Sequence, residues 1–167
     1  MIDPALPPGW RALARFTADP APPAWREALA ERLGERPRRI GLWAELALYG
    51  ARGCLDAAGE ATLAAGACLR VASTSGARSA THAAAAQAHA GVLMPFGFMQ
   101  SQPSQMLAAL GQHLGWQGDA AFFAVRDTGL LLRMACREAG PAGLLFGVVE
   151  DEQGDVLRTA WLRLVPG

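Results

Sequence analysis

The sequence predicts an α/β layered domain, with a mixed sheet of about five strands flanked by helices, partly parallel and antiparallel at one end. Three observations carry this. Helical and β-biased segments alternate along most of the chain, two β-biased segments close it with only a short polar turn between them, and proline and glycine separate the segments. At 167 residues, 51% of them apolar, the chain is long enough to bury one core of its own.

Residues 1–23, with Pro4, Pro7, Pro8, Pro20, Pro22 and Pro23, read as an irregular leader holding one short strand around Trp10 to Phe16. The domain proper is expected over 24–167. Proline at the first turn and Gly34 just past the end delimit a helix from Ala24 to Leu33. A longer helix runs from Ile40 to Ala58, with Leu42, Leu46, Tyr49 and Gly53 on one face, Leu48, Arg52 and Leu55 beside them, and Gly59 as its cap. Ala67 to Gly76 is a buried strand that meets a turn at Ser75-Gly76. Ala77 to Ala90 is alanine-rich and helical. Gly91 to Gln102 reads as irregular, with Met94, Phe96, Phe98 and Met99 on its surface, and Ser101 to Ser104 supply caps for a helix from Gln105 to Leu114. Ala120 to Val125 is a strand, Asp127 to Glu138 a helix and Leu144 to Val149 a strand. A polar turn over 150–155 leads into a last strand, Val156 to Leu164, whose alternating pattern gives it two unlike faces.

Composition excludes several function classes. Fifteen basic residues balance fifteen acidic ones, so no electrostatic surplus favours nucleic acid or an anionic membrane. All fifteen basic residues are arginine, which rules out Schiff-base and P-loop lysine chemistry. Tyr49 is the one tyrosine. The opening residues lack a basic segment followed by an apolar one, as a signal peptide requires, and no apolar run approaches the roughly 18 residues of a membrane span. Cys54, Cys68 and Cys136 are widely spaced in apolar surroundings and read as buried, reduced thiols, consistent with a cytoplasmic protein. The low charge content, 18%, leaves apolar surface available for a partner.

No catalytic site emerges from composition and spacing. His82 and His89 lie seven apart on the alanine-rich helix and His113 stands alone, so no metal site and no cofactor is expected. Ser73-Thr-Ser-Gly76 is a polar strand-to-helix turn that lacks the nucleophile-elbow pattern. The glycines between Gly111 and Gly118 follow a helix instead of a strand, which argues against dinucleotide binding. Asp151, Glu152 and Asp155 read as a solvated acidic hairpin loop.

Residues 94–150 carry a specific order of weak motifs. They are Met94-Pro-Phe-Gly-Phe-Met-Gln-Ser-Gln-Pro-Ser-Gln-Met106, the turn Gly115-Trp-Gln-Gly118, the strand Ala120 to Val125, Asp127-Thr-Gly129, and Leu145-Phe-Gly-Val-Val-Glu150. Upstream lie a helix ending in Asp56-Ala-Ala-Gly59 and the strand and turn Val71 to Gly76. In this order and spacing the chain resembles the N-terminal half of a β-ketoacyl-acyl-carrier-protein synthase of the thiolase superfamily, over roughly residues 38–165. The resemblance implies a layered thiolase-like half-domain.

Two departures from the family pattern bear on activity. The family's nucleophilic cysteine, a thiolate favoured by a helix N-terminus, falls on Asp127, or on Arg126 with a one-residue gap placed differently. Neither can form a thioester, and Cys136 lies too far along the helix to substitute. The family's second half, with its two active-site histidines, has no counterpart here. The resemblance therefore implies a non-catalytic subunit of chain-length-factor type. Its implied partner is a full-length β-ketoacyl-ACP synthase in a bacterial type II fatty-acid or polyketide system, aryl-polyene and related pigment pathways among them, with the acyl carrier protein engaged indirectly. In the family, the strand before the nucleophile pairs across the dimer and the preceding loop walls the partner's acyl pocket. By that resemblance Phe96, Phe98, Met99 and Met106 line an acyl tunnel, and Phe122, Phe123 and Val125 an interface. Two other readings stand beside it. One is a residual thioesterase- or decarboxylase-type enzyme using Asp127, Ser73 or Ser75. The other is a standalone small α/β binding protein, which predicts no unpaired sheet edge at 120–125.

Overall fold

A computed structural model of the chain describes residues 6–92, 94–152 and 156–167. In order its elements are β1 (Trp10–Ala18), α1 (Trp25–Leu33), α2 (Leu42–Ala58), β2 (Cys68–Ser73), α3 (Arg78–His89), α4 (Pro95–Gln100), α5 (Pro103–His113), β3 (Ala120–Ala124), α6 (Thr128–Glu138), β4 (Leu144–Asp151) and β5 (Leu157–Pro166). One five-stranded sheet has the order β1-β5-β4-β2-β3. β2 pairs in parallel with both β3 and β4, whereas β5 runs antiparallel to β4 and to β1. The sheet is thus parallel at one end and antiparallel at the other, as the alternating pattern predicts.

Alternation along each strand sends two apolar sets to opposite faces. Leu69, Val71, Leu145, Val149 and Trp161 join the larger core, formed with α1, α2 and α5. Cys68, Ala72, Leu144, Phe146, Leu162 and Leu164 form a second core with Leu131, Leu132, Ala135 and Cys136 of α6. Helix α2 is buried nearly all round, Arg52 included, because it lies on the sheet and is covered by its neighbours. Its Trp43 Nε1 donates to Val149 O at 3.2 Å, tying the helix start to the end of β4.

The short strand expected in the leader around Trp10 to Phe16 is β1, which extends to Ala18 and pairs antiparallel with β5, with a register shift between Ala12 and Ala14. β1 also meets α2 directly. A Cβ at Gly53 would lie 2.6 Å from the Phe16 ring, so glycine permits the approach, and Phe16 meets Tyr49 edge-on at 5.2 Å. Further along, 95–100 is helical where an irregular segment is expected, since Pro95 at the first helical position fixes a starting φ. Of the expected caps for α5, neither serine is the N-cap: Gln102 occupies that position without a side-chain bond, Pro103 opens the helix, Ser104 lies inside it, and Ser101 Oγ instead donates to Phe98 O at 2.7 Å, at the end of α4. β4 continues through Asp151, so the polar turn starts later than expected. Its residues 153–155, like residues 1–5, lie outside the described residues. Among the described residues no helix is long and apolar enough to cross a membrane.

Candidate functional site

Parallel β2 and β4 end side by side, and a carboxylate of β4 organises the turn that leaves β2. Glu150 accepts from Ser73 Oγ (2.9 Å), the Thr74 amide (2.7 Å), and the Ser75 amide and Oγ (2.9 and 2.5 Å). Ser73 Oγ in turn accepts from the Gly76 amide at 2.8 Å. Asp151 accepts from the amide and hydroxyl of Ser79, both at 2.7 Å, at the start of α3. Asp151 is thus 1% exposed and structural, a correction to the solvated acidic loop expected there. Four donors on one carboxylate satisfy it and hold the Ser73 and Ser75 hydroxyls as donors.

Beside this turn, α6 begins at the position where the resemblance implies a nucleophile. Asp127 is the N-cap and its Oδ1 accepts from the Leu130 amide at 2.8 Å. A carboxylate is favoured there by the helix dipole and satisfies a first-turn amide that would otherwise be free to stabilise a thiolate or an oxyanion. A cavity of about 260 Å³ adjoins this end. Arg126 and Thr128 line it with Thr74 and Glu150, and Arg158 enters it already paired with Asp19 (2.9 Å) and Glu152 (3.2 Å). Neither cysteine nor histidine is among the lining residues. Cys136, on the same helix, is 5% exposed and burial pushes its thiol up to about 11, while burial pushes that of Cys54 up to about 12. Both thiols are therefore poor nucleophiles at neutral pH.

The remaining predicted site residues divide into three groups. Phe96 (60% exposed), Phe98 (61%) and Met99 (43%) project from α4, with Met94 and Val92 also exposed. Helices α3 and α4 bury no residue of their own, and an apolar cavity of about 300 Å³ opens between them against Ala84, Ala88, Val92 and Phe98. Phe122, Phe123 and Val125 belong to the second group, on and just past β3, the last strand of the sheet, which has no strand partner on its outer edge among the described residues. Phe122 faces the larger core, edge-on to Trp43 at 5.4 Å, and Phe123 and Val125 pack against the smaller one. Met106 is set apart at 1% exposure inside the larger core, where its α5 position faces inward. His82 and His89 are exposed on α3 and His113 is half-buried at the end of α5, so the three histidines form no cluster.

Sequence reasoning missed the buried charges. Arg70 of β2, 5% exposed, donates to Asp119 Oδ2 at 2.5 Å and lies 3.6 Å from Glu138. Burial alone would lower the Arg70 pKa, yet its bond to Asp119 holds it above the ordinary value, and that same bond holds the Asp119 carboxyl below its own. An arginine inside an otherwise apolar strand is the signal that could have found this pair.

No family model and no curated protein sequence matches the chain. Among solved structures it is similar to a chain of the ketosynthase (ApeO) in complex with its chain length factor (ApeC) from Xenorhabdus doucetiae. The TM-score is 0.68 at 13% identity, covering 95% of this chain and 79% of that one. It is also similar to a chain of the ishigamide ketosynthase/chain length factor, with TM-score 0.62 at 13% identity, covering 94% of this chain and 58% of that one. At such identity the likeness is one of fold. The chain shares its α/β fold with these neighbours and has the mixed five-stranded sheet expected from its sequence.

Proposed function

We propose that this chain is a non-catalytic, ketosynthase-like subunit of chain-length-factor type that pairs with a full-length β-ketoacyl-ACP synthase and shapes its acyl tunnel. The observation that carries the reading is the start of α6. In a fold similar to ketosynthase/chain-length-factor complexes, the helix end where a nucleophile is implied holds Asp127, whose carboxylate binds its own helix. The partner would supply the thiolate and both histidines, and the acyl carrier protein would deliver to the partner. Exposed Phe96, Phe98 and Met99 offer an adaptable apolar wall for an acyl chain, and the free edge of β3, with Phe122, Phe123 and Val125, offers backbone and apolar surface for pairing. Its setting would be a bacterial type II fatty-acid or polyketide system in the cytoplasm, an aryl-polyene pathway being one such system.

The test is co-expression of the chain with each full-length β-ketoacyl-ACP synthase of its source genome, followed by size-exclusion chromatography and intact mass measurement. A 1:1 complex is expected, with no acyl adduct on this chain after incubation with acyl carrier protein substrates. The double variant F96A/F98A should keep the complex and lengthen the products. A chain that stays monomeric beside every synthase, or that takes up an acyl group itself, would overturn the proposal.

A further inference from the structure

Three arginines crowd the connection between α1 and α2: Arg36, Arg38 and Arg39. Two apolar residues anchor this loop. Pro37 is buried, and Ile40 packs against the larger core. Arg39 takes a left-handed conformation (φ 66°), and Gly41 follows against the Gln100 side chain. With Pro37 turned inward, the arginines on either side of it are held outward and exposed. No carboxylate among the described residues forms an ion pair with Arg36, Arg38 or Arg39, whereas arginines 26, 32, 52, 70, 158 and 163 all have one.

The loop faces the end of α5 across a cavity of about 340 Å³, lined by Glu35, Arg36, Pro37, Arg38, Ile40, Gln112 and His113. Three of the closing carbonyls of α5 are already bonded. Those of Leu110, Gly111 and Gln112 are taken by the amides of Leu114, Trp116 and Gly115. Arg36, Arg38, Gln112 and His113, all able to donate, thus line one space with a single carboxylate, Glu35, among its lining residues.

We infer that this cavity, between the α1–α2 loop and the end of α5, is an anion site for a phosphoryl group, held by Arg36 and Arg38 with Gln112 and His113 as further donors. Forked guanidinium donors match phosphate oxygens two at a time. Neither arginine is ion-paired among the described residues, so both forks are available to phosphoryl oxygens. The space is several times larger than one phosphate ion, so it also accommodates part of the group the phosphate is attached to, and Glu35 would accept from a hydroxyl or amide there. The site is remote in sequence from α6 and β3 and does not depend on pairing with a synthase.

The test is calorimetric titration of the full chain with inorganic phosphate at low ionic strength against a chloride-matched control, and co-sedimentation with phosphatidylglycerol vesicles to separate a soluble ester from a lipid headgroup. Saturable binding of one or the other is expected. It should weaken at least about tenfold in R36Q/R38Q, since charge-assisted hydrogen bonds are lost. It should tighten in E35Q and stay unchanged in R11Q, which alters an exposed arginine of β1 and serves as a control for net charge. Binding of neither probe, equal binding by R36Q/R38Q, weaker binding by E35Q, or an equal loss in R11Q would each overturn the inference.

Discussion

Removing Glu60 should expose how strongly this fold depends on a charge pair that spans most of the chain. Arg163 of β5 is 2% exposed, and its guanidinium grips the Glu60 carboxylate with two bonds, Nε to Oε2 at 2.7 Å and Nη2 to Oε1 at 2.9 Å. Its remaining nitrogen, Nη1, donates to Leu164 O at 3.0 Å. In E60A the guanidinium keeps that bond and loses the other two inside the core. Stranding one member of a buried pair costs about 3–5 kcal/mol. The Glu60 side chain is 22% exposed, so water can enter the gap, and the lower end, about 3 kcal/mol, is expected. For a domain of this size that corresponds to a fall in Tm of about 6–12 °C. R163M should cost less than E60A, because the carboxylate left behind can turn to solvent. The apolar pair R163M/E60M should recover most of the loss. Urea unfolding followed by tryptophan fluorescence measures all three. A cost below about 1 kcal/mol for E60A would refute the reasoning, since it would mean that the buried guanidinium reaches water unaided.

Three further outcomes follow from particular contacts. D127A should destabilise the protein by about 1 kcal/mol through loss of the α6 cap, while D127N keeps it, and equal thermal stability of D127A and wild type would refute the cap's role. G147A places a Cβ 2.6 Å from the ring of Trp161, itself 1% exposed, and should cost about 1–3 kcal/mol by overpacking with a changed tryptophan emission. Because Arg70 holds the Asp119 carboxyl below its ordinary value, that contact stabilises the fold fully above the unfolded-state pKa of about 4 and is lost as pH falls through the lower folded value. D119N should therefore flatten the acid limb of stability against pH, and an unchanged limb would exclude the contact from acid unfolding.

Element type was legible wherever a local signal sufficed. The segments 120–125, 127–138 and 144–149 correspond to β3, α6 and β4 within a residue or two, because alternation, an N-terminal Asp and flanking glycines are properties of neighbouring residues. Helix α4 escaped because six residues are too few to display a helical period. The exposure of Phe96, Phe98 and Met99 was readable from an apolar cluster in a glycine- and proline-bearing segment, but Met106, equally apolar, turned inward with α5.

Taken alone, the sequence settled the alternation of elements, the balanced charge, the absence of lysine chemistry and the acid at the start of α6. Each is a matter of composition or of residues a turn apart. The tertiary structure decided what that acid does, which carboxylate fills the turn after β2, and where the buried charges find partners. Glu150 lies 77 residues from Ser73, Asp119 49 residues from Arg70, and Glu60 103 residues from Arg163. Such pairs are chosen by strand order and register, since a buried charge must be matched by whatever group the fold brings beside it, and no local pattern encodes that neighbour.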